Sequence, residues 1–163
     1  MKHAFVLGVH PSSRGFGWAL FEGPLVPFDW GTVGARANKN ESALSAFAKL
    51  LDKYEPKTLA IEAYDDKPSR RSARIRTLSR NLIGIADARD ITVRVYTRAE
   101  IGKTLAGTEK PTRDGIAAAV AERVAVLHAR LPDPRKPWQS EHPSIALFQA
   151  SACALTYLLE PRP

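Results

Sequence analysis

The chain has 163 residues, of which 44% are hydrophobic and 25% are charged, and its formal net charge is +7. This length and composition predict one soluble globular domain over residues 1–163, large enough to bury roughly 70% of its unfolded surface. No apolar run approaches the roughly 20 residues of a membrane span, no signal-peptide pattern follows Met1, and a single cysteine, Cys153, cannot form a disulfide within the chain. We therefore expect a cytoplasmic protein without disulfides and without a membrane partner.

Hydrophobic periodicity and turn residues predict alternating strands and helices. In chain order they are strands over 3–9, 15–22 and 25–33, a helix over 41–54 with Asn40 as N-cap, a strand over 58–63, a helix over 69–88, a strand over 91–97, and helices over 98–105, 111–127 and 144–159. Short turns join the first three strands, which are therefore antiparallel, whereas the later strands alternate with helices and are parallel. The pattern predicts an α/β fold: a mixed five-stranded sheet, three strands antiparallel and then two parallel, with helices on both faces.

Polar side chains stand where two of these strands end. His10 follows the first strand and Glu62 closes the fourth, and ligands of α/β sheets gather at the carboxyl ends of strands. A carboxylate there is costly unless it is paired or bound to a metal ion. The alternatives are that Glu62 lies just past the buried part and is hydrated, and that His10 is a turn histidine bonded to Ser12 or Ser13.

The helix over 69–88 begins in a strongly basic segment. Residues 67–80 contain no acidic residue and hold the basic residues Lys67, Arg70, Arg71, Arg74, Arg76 and Arg80. The helix macrodipole disfavours arginine in a first helical turn, so this placement needs another reason. An anionic partner is one such reason, and nucleic acid is the commonest polyanion. A solvated helix face is the alternative.

Three motifs carry a resemblance to a known family. The first strand and turn read "GVHPSSRGFGWA" (8–19), the fourth strand ends in "AIE" (60–62), and "RAEIGKTLAG" (98–107) leads without a gap into "TEKPTRDGI" (108–116). In this order and over nearly the whole chain they resemble the RuvC-type Holliday-junction resolvases. The resemblance implies an RNase H-like fold.

The catalytic carboxylates of that family are only partly present. The resemblance implies four carboxylates that hold divalent ions, usually Mg²⁺, for phosphodiester cleavage. Glu62 matches one of them, His10 stands in place of the first aspartate, and His142 and Ile145 stand in place of the last pair. Imidazole suits Mg²⁺ poorly, but a cluster of His10, Glu62 and either Glu141 or His142 could hold one ion such as Mn²⁺ or Zn²⁺. These four residues are the candidate catalytic and metal-binding set.

The resemblance also implies branched DNA as the partner and a symmetric homodimer. The positions that match DNA-facing segments of the family are Arg70, Arg71, Arg74, Lys103, Lys110 and Arg113. Phosphate contacts of this kind supply affinity and salt dependence without reading sequence, and solvated surface charge is the alternative for each residue. Leu78 and Leu82 could serve a dimer or the core. Trp138, in the proline-rich stretch over 131–143, could stack on a base or form a lid over the core.

Three functions follow from these observations. The first is a nucleic-acid-binding protein on a resolvase scaffold whose cleavage activity is lost or weak. The second is an active, metal-dependent endonuclease of DNA recombination and repair, with an altered His/Glu metal site. The third is a protein-interaction module that keeps only the fold. The basic segment favours the first two, because a module without a nucleic-acid partner has no evident use for it.

Overall fold

The structure, a computed structural model, describes residues 4–63 and 70–161, without the side chains of residues 70–72. Its elements are β1 Val6–Pro11, β2 Gly15–Gly23, β3 Val26–Gly34, α1 Lys39–Tyr54, β4 Thr58–Glu62, α2 Arg70–Ala88, β5 Thr92–Tyr96, α3 Arg98–Ala106, α4 Arg113–Arg123, α5 Ala125–His128 and α6 Ile145–Leu159. The start of the predicted first strand and the residue predicted to begin the second helix lie outside the described residues.

The strands form one sheet in the order β3-β2-β1-β4-β5. The pairs β1–β2 and β2–β3 are antiparallel, and β1–β4 and β4–β5 are parallel. The mixed five-stranded sheet predicted from the sequence is confirmed. Because β1 and β4 are parallel neighbours, their carboxyl ends lie side by side at one edge of the sheet.

β1 is longer at its end than its apolar run predicts. His10 and Pro11 pair with Gly17 and Phe16 of β2, so His10 lies inside the strand instead of after it. The turn that follows is held by Ser12, whose Oγ accepts hydrogen bonds from the backbone N–H groups of Arg14 and Gly15. The imidazole is thereby fixed by sheet pairing and does not belong to the turn.

Helices cover both faces of the sheet, as predicted. One face packs on α1 and α2 through side chains such as Leu7, Phe47 and Leu82. The other packs on α3, α4, α5 and α6 around Phe148 and Ile116. The apolar composition of α6 reflects this position, since nearly every residue of the helix is buried.

Two glycines let α6 lie directly on the sheet near the end of β1. A Cβ added at Gly8 would collide with the carbonyl oxygen of Ala150, and one at Gly17 would collide with the backbone of Ala146. Gly17 is the β2 partner of His10. The close approach therefore brings the start of α6, and the segment that precedes it, over the imidazole.

Several local predictions are wrong. The N-cap of α1 is Asn38, in a left-handed conformation, while the side chain of Asn40 donates to the carbonyl oxygen of Arg74 at 3.3 Å. The predicted helix over 111–127 is broken at Val124, whose φ and ψ of −117° and 90° are not helical. The chain changes direction there, and both Val124 and Leu127 remain in the core.

Burial decides the role of Leu78 and Leu82, and helix composition bears on the expectation that no helix spans a membrane. Leu78 and Leu82 are fully buried within the chain, so the core is their role and a dimer contact through them is wrong. Among the helices of the described residues, none has both the length and the apolar character that crossing a bilayer requires.

Candidate functional site

His10 and Glu62 project from neighbouring strands toward the same side of the sheet. Val9 of β1 is the register partner of Ile61 of β4, so His10 and Glu62 occupy the next positions along the two strands. Side chains alternate along a strand, and Gly8, two residues before His10, faces α6. His10 and Glu62 therefore lie beneath the α6 side of the sheet, at its carboxyl edge.

His10 is almost entirely buried, with 8% of the residue's surface exposed. Its Nε2 lies 3.2 Å from Nη2 of Arg113. Burial, and then the positive charges of Arg113 and Arg98, lower the pKa of His10 from 6.5 to about 3. The ring is neutral, and since a guanidinium only donates, Nε2 accepts the hydrogen bond and Nδ1 carries the proton. The predicted bond from His10 to Ser12 or Ser13 is not formed.

Arg113 forms a two-point ion pair with Glu141. Its Nε donates to Oε2 of Glu141 at 2.7 Å, and its Nη2 donates to Oε1 at 2.8 Å. The arginine is the first residue of α4, after Thr112, whose hydroxyl caps the helix by accepting from the N–H of Gly115. Gln149 of α6 donates to the carbonyl oxygen of Arg113 at 3.0 Å, which fixes the start of α4 against α6.

Glu62 forms a second ion pair at the same edge. Nη2 of Arg98 lies 3.3 Å from its Oε2, and the Glu62 side chain is 10% exposed against 39% for Arg98. Arg98 is positioned by a capping box at the start of α3, between Thr97 and Glu100. The other oxygen of Glu62, Oε1, is buried and has no hydrogen-bond partner among the described residues. Burial, and then the nearby charge of Glu62, raise the pKa of the Cys153 thiol, which stays protonated.

The last two positions of the resemblance point elsewhere. His142 is exposed, and its Nδ1 accepts from the backbone N–H of Ser144 just before α6. Ile145 is buried in the core. Glu141 lies in the segment before α6, whose N-cap is Ser144. Arg113 thus brings His10 and Glu141 together, while Glu62 pairs with Arg98 and His142 accepts a hydrogen bond from the backbone of Ser144.

The predicted cluster of metal ligands is not assembled in the described residues. Within 4–63 and 70–161, no three His, Cys, Asp or Glu side chains lie close enough together to hold a metal ion. Each carboxylate, Glu62 and Glu141, is instead bound by a guanidinium group. A divalent ion would have to stand beside two positive charges and displace Arg113 from Glu141. The side chains present do not fit Mg²⁺.

A cavity of about 710 Å³ opens next to Arg113. It is lined by the β1–β2 turn, the start of α2, the start of α4 and the segment that precedes α6, including the charged and polar residues His10, Arg14, Arg113, Arg135, Glu141 and His142. Arg14 and Arg135 are exposed, and neither forms an ion pair among the described residues. Three arginines and one carboxylate therefore face the cavity, which is suited to an anion.

Trp138 lies on the surface, in the same chain segment as the cavity residues Arg135 and Ser140. Its side chain is 77% exposed, and the ammonium group of Lys136 lies 5.4 Å from the centre of its ring. A lid over the core is therefore wrong. Trp138 stands between Arg135 and Ser140, two residues that line the cavity. We call Arg14, Arg135 and Trp138 the rim.

The other predicted DNA contacts are placed as follows. Arg74 is half-buried, and its Nη2 donates to the carbonyl oxygen of Ser13 at 2.6 Å, so it holds the β1–β2 turn against α2. Lys103 and Lys110 are exposed, on α3 and in the loop after it. The side chains of Arg70 and Arg71 lie outside the described residues.

Three cations of the site were not predicted from the sequence, namely Arg98 in its interior and Arg14 and Arg135 on its rim. Arg98 stood in a quoted motif, but its pairing with Glu62 depends on β4 and α3 meeting at one edge. Arg14 was visible beside the first turn, and Arg135 in the proline-rich stretch. The available signal was their position: each is a basic residue next to a strand end or in a loop that reaches the carboxyl edge of the sheet.

Solved structures of similar fold are Holliday-junction resolvases. RuvC of Thermus thermophilus, in complex with a Holliday-junction substrate, superposes with a TM-score of 0.71 at 16% identity, over 95% of this chain and 93% of that one. The yeast mitochondrial Holliday-junction resolvase gives 0.59 at 11% identity, over 94% and 77%. A fowlpox virus resolvase in complex with Holliday-junction DNA gives 0.53 at 14% identity, over 94% and 97%.

These comparisons define the fold and not the chemistry. No protein-family model matches the sequence, and no curated protein matches it. The chain is an α/β protein of RNase H-like architecture. More narrowly, its fold is that of the RuvC-type Holliday-junction resolvases, as the sequence motifs predict.

Proposed function

We propose that this protein binds branched DNA, with a four-way junction as the preferred form, and does not cut it by magnesium-dependent hydrolysis. The observation that carries the proposal is the position of Arg113. Its guanidinium group lies between His10 and Glu141, at the sheet edge where the resemblance implies metal-binding carboxylates.

Charge and shape support the binding part of the proposal. The chain carries a net charge of +7, and the cavity at the carboxyl edge presents three arginines to one carboxylate. Positive side chains around a concave surface are suited to the sugar–phosphate backbone, whose charge dominates affinity for DNA. Two of the structurally similar resolvases are complexes with Holliday-junction DNA.

The residues at the site support the second part. Two-metal hydrolysis requires several carboxylate oxygens that hold ions on both sides of the scissile phosphate. Here two carboxylates, two guanidinium groups and one neutral imidazole sum to no net charge. Such a set attracts a divalent cation far less than four carboxylates do.

A second candidate is an endonuclease with an altered metal site. It is favoured by Oε1 of Glu62, a buried carboxylate oxygen that has no hydrogen-bond partner among the described residues. A cation is one group that would satisfy such an oxygen. This candidate predicts that cleavage, in Mn²⁺ or Zn²⁺, depends on Glu62.

The test is binding and cleavage of a synthetic four-way junction, compared with a duplex of equal length, in EDTA, Mg²⁺, Mn²⁺ or Zn²⁺. We expect junction-selective binding in EDTA and intact strands in all four conditions. Junction-selective cleavage that Glu62→Gln abolishes would establish the second candidate instead. Absence of binding to either DNA would leave a protein-interaction module on a resolvase fold.

The proposal includes a symmetric homodimer acting in the cytoplasm in DNA recombination or repair. A four-way junction has two-fold symmetry, which a two-fold dimer matches. Because Leu78 and Leu82 are buried within the chain, such a dimer has to use other residues. Light scattering of the protein alone and with one equivalent of junction tests this part, and one protein chain per junction would contradict it.

A further inference from the structure

The guanidinium group of Arg113 binds a carboxylate whose place a phosphate group can take. Glu141 offers two oxygens to Nε and Nη2, at 2.7 and 2.8 Å. The two free oxygens of a phosphodiester present the same acceptor pair to a guanidinium group. One group can therefore exchange for the other with no change in the position of Arg113.

The pair is accessible from the cavity. The side chains of Arg113 and Glu141 are 27% and 36% exposed, and both line the cavity wall. Glu141 belongs to the segment between α5 and α6, which itself contains no helix or strand. Arg113, by contrast, is held at its backbone by Gln149 and at its guanidinium by His10. Glu141 is thus the partner that can leave, and Arg113 is the partner that stays.

Release of Glu141 would leave only positive charge at this end of the cavity. Arg14 and Arg135 stand on the rim, and neither has an ion pair among the described residues. The buried imidazole of His10 is neutral and adds no charge of either sign. An anion that enters the cavity therefore gains the attraction of three arginines once Glu141 has moved.

We infer that the cavity is a phosphodiester-binding subsite that needs no metal ion, with Glu141 as a built-in competitor that the DNA backbone displaces from Arg113. The guanidinium group takes the place that a metal ion has in a cleaving enzyme: it supplies the positive charge that receives the phosphate. This inference rests on the proposed function, because it names the residue that receives DNA and the residue that opposes it.

The experiment measures the affinity of the four-way junction in EDTA for a set of charge-matched variants. Glu141→Gln removes the competing charge while keeping the shape of the side chain. Glu122→Gln is the control, because Glu122 is an exposed glutamate of the same helix as Arg113, nine residues further on and about 13 Å along the helix axis. Both changes raise the net charge equally.

We expect Glu141→Gln to tighten junction binding by about fivefold more than Glu122→Gln does. The freed arginine adds a phosphate contact, so the slope of log affinity against log salt steepens by up to about 0.9 in Glu141→Gln only. In an Arg113→Gln background, the additional gain disappears. Arg113→Lys serves as a second background if Arg113→Gln lowers the melting temperature, and there the gain shrinks because a lysine cannot make the two-point contact.

Equal effects of Glu141→Gln and Glu122→Gln in a protein that binds the junction would overturn this inference and leave the proposed function intact. A gain that persists without Arg113 would overturn it as well. Failure of all variants to bind the junction would overturn both. Replacement of chloride by inorganic phosphate at constant ionic strength identifies the ligand: a higher melting temperature of Glu141→Gln with no gain in junction affinity would assign the cavity to free phosphate and overturn the DNA assignment.

Discussion

The charged side chains in the interior of the site are paired with one another, whereas, among the described residues, those on its rim are not. In the interior, Arg113 pairs with Glu141 and Arg98 pairs with Glu62 around a neutral His10. On the rim, Arg14 and Arg135 are exposed and form no ion pair within the described part of the chain. The interior is neutral overall, whereas the rim is positive.

Because of this difference, the interior and the rim should contribute differently to folding stability and to affinity for DNA. Paired charges hold elements of the fold together: Arg98 with Glu62 connects α3 to β4, and Arg113 connects α4 to Glu141 and, through His10, to β1. Unpaired charges on the surface contribute little to folding but attract a polyanion. We therefore expect changes on the rim to alter DNA binding without altering stability, and changes at the buried groups His10 and Glu62 to alter stability.

The largest expected effect comes from removing one cation of the rim together with two cations of the basic segment 67–80. Replacing Arg70, Arg71 and Arg135 by Ala should weaken junction binding by about 100-fold near physiological salt and flatten the salt slope by about 2.7. Arg74 is left in place because it holds the β1–β2 turn. The matched control replaces three other exposed cations that do not line the cavity: Lys49 in α1, Arg123 at the end of α4 and Arg130 after α5. An equal loss in the control would show that only net charge matters.

The next effect concerns acid stability and belongs to the interior. The folded pKa of His10, about 3, lies below its unfolded value near 6.5, so the unfolded chain binds the proton first and stability falls as pH drops below about 6.5. Between about pH 7 and pH 5 the free energy of unfolding should fall by about 2 kcal/mol more in the wild type than in His10→Gln. Urea unfolding at several pH values measures this difference. Parallel pH profiles for the two proteins would contradict a buried, neutral imidazole.

A smaller effect is expected at the aromatic residue of the rim. Trp138→Ala should weaken junction binding by about tenfold, because an exposed indole offers a face on which an unpaired base at the branch point can stack. Trp138→Phe should keep most of the affinity, and neither change should alter the melting temperature. A lower melting temperature of Trp138→Ala would indicate that the residue stabilises the fold and would contradict a role limited to DNA binding.

The smallest effect is expected from restoring one carboxylate in the interior. His10→Asp in Mg²⁺ should give little or no junction cleavage, because Arg113 remains beside position 10 and no aspartate stands at 142 or 145. The measurement is strand integrity on a denaturing gel. Strong cleavage by this variant would mean that Glu141 leaves Arg113 to bind metal. The interior would then need only one added carboxylate to form a metal site.

The sheet was predictable from the sequence, and the reason is local. Apolar runs such as "VLGV" in β1 and "TLAI" in β4 report burial on both faces, and the short turns between β1, β2 and β3 dictate their antiparallel order. The break at Val124 was not predictable, because the apolar spacing of Ile116, Val120, Val124 and Leu127 continues through it. Periodicity records which residues are buried and not where the backbone bends.

The site was predictable in its residues but not in its pairings. His10, Glu62, Arg113 and Glu141 were all singled out, yet the contact between His10 and Arg113 joins residues 103 positions apart. It depends on the approach of α6 at Gly17 and on the anchoring of α4 by Gln149. No local pattern encodes such a contact, so the pairing of these residues with arginines emerges only from the fold.

On this interpretation, a protein with a resolvase fold binds branched DNA without a metal ion and leaves the DNA intact. The most direct measurement mixes end-labelled four-way junction with excess protein, in EDTA and in Mg²⁺, and resolves each mixture on a native and a denaturing gel. We expect the same junction-selective shift with and without Mg²⁺, and full-length strands in both. A shift that requires Mg²⁺, or strands cut symmetrically at the branch point, would contradict it.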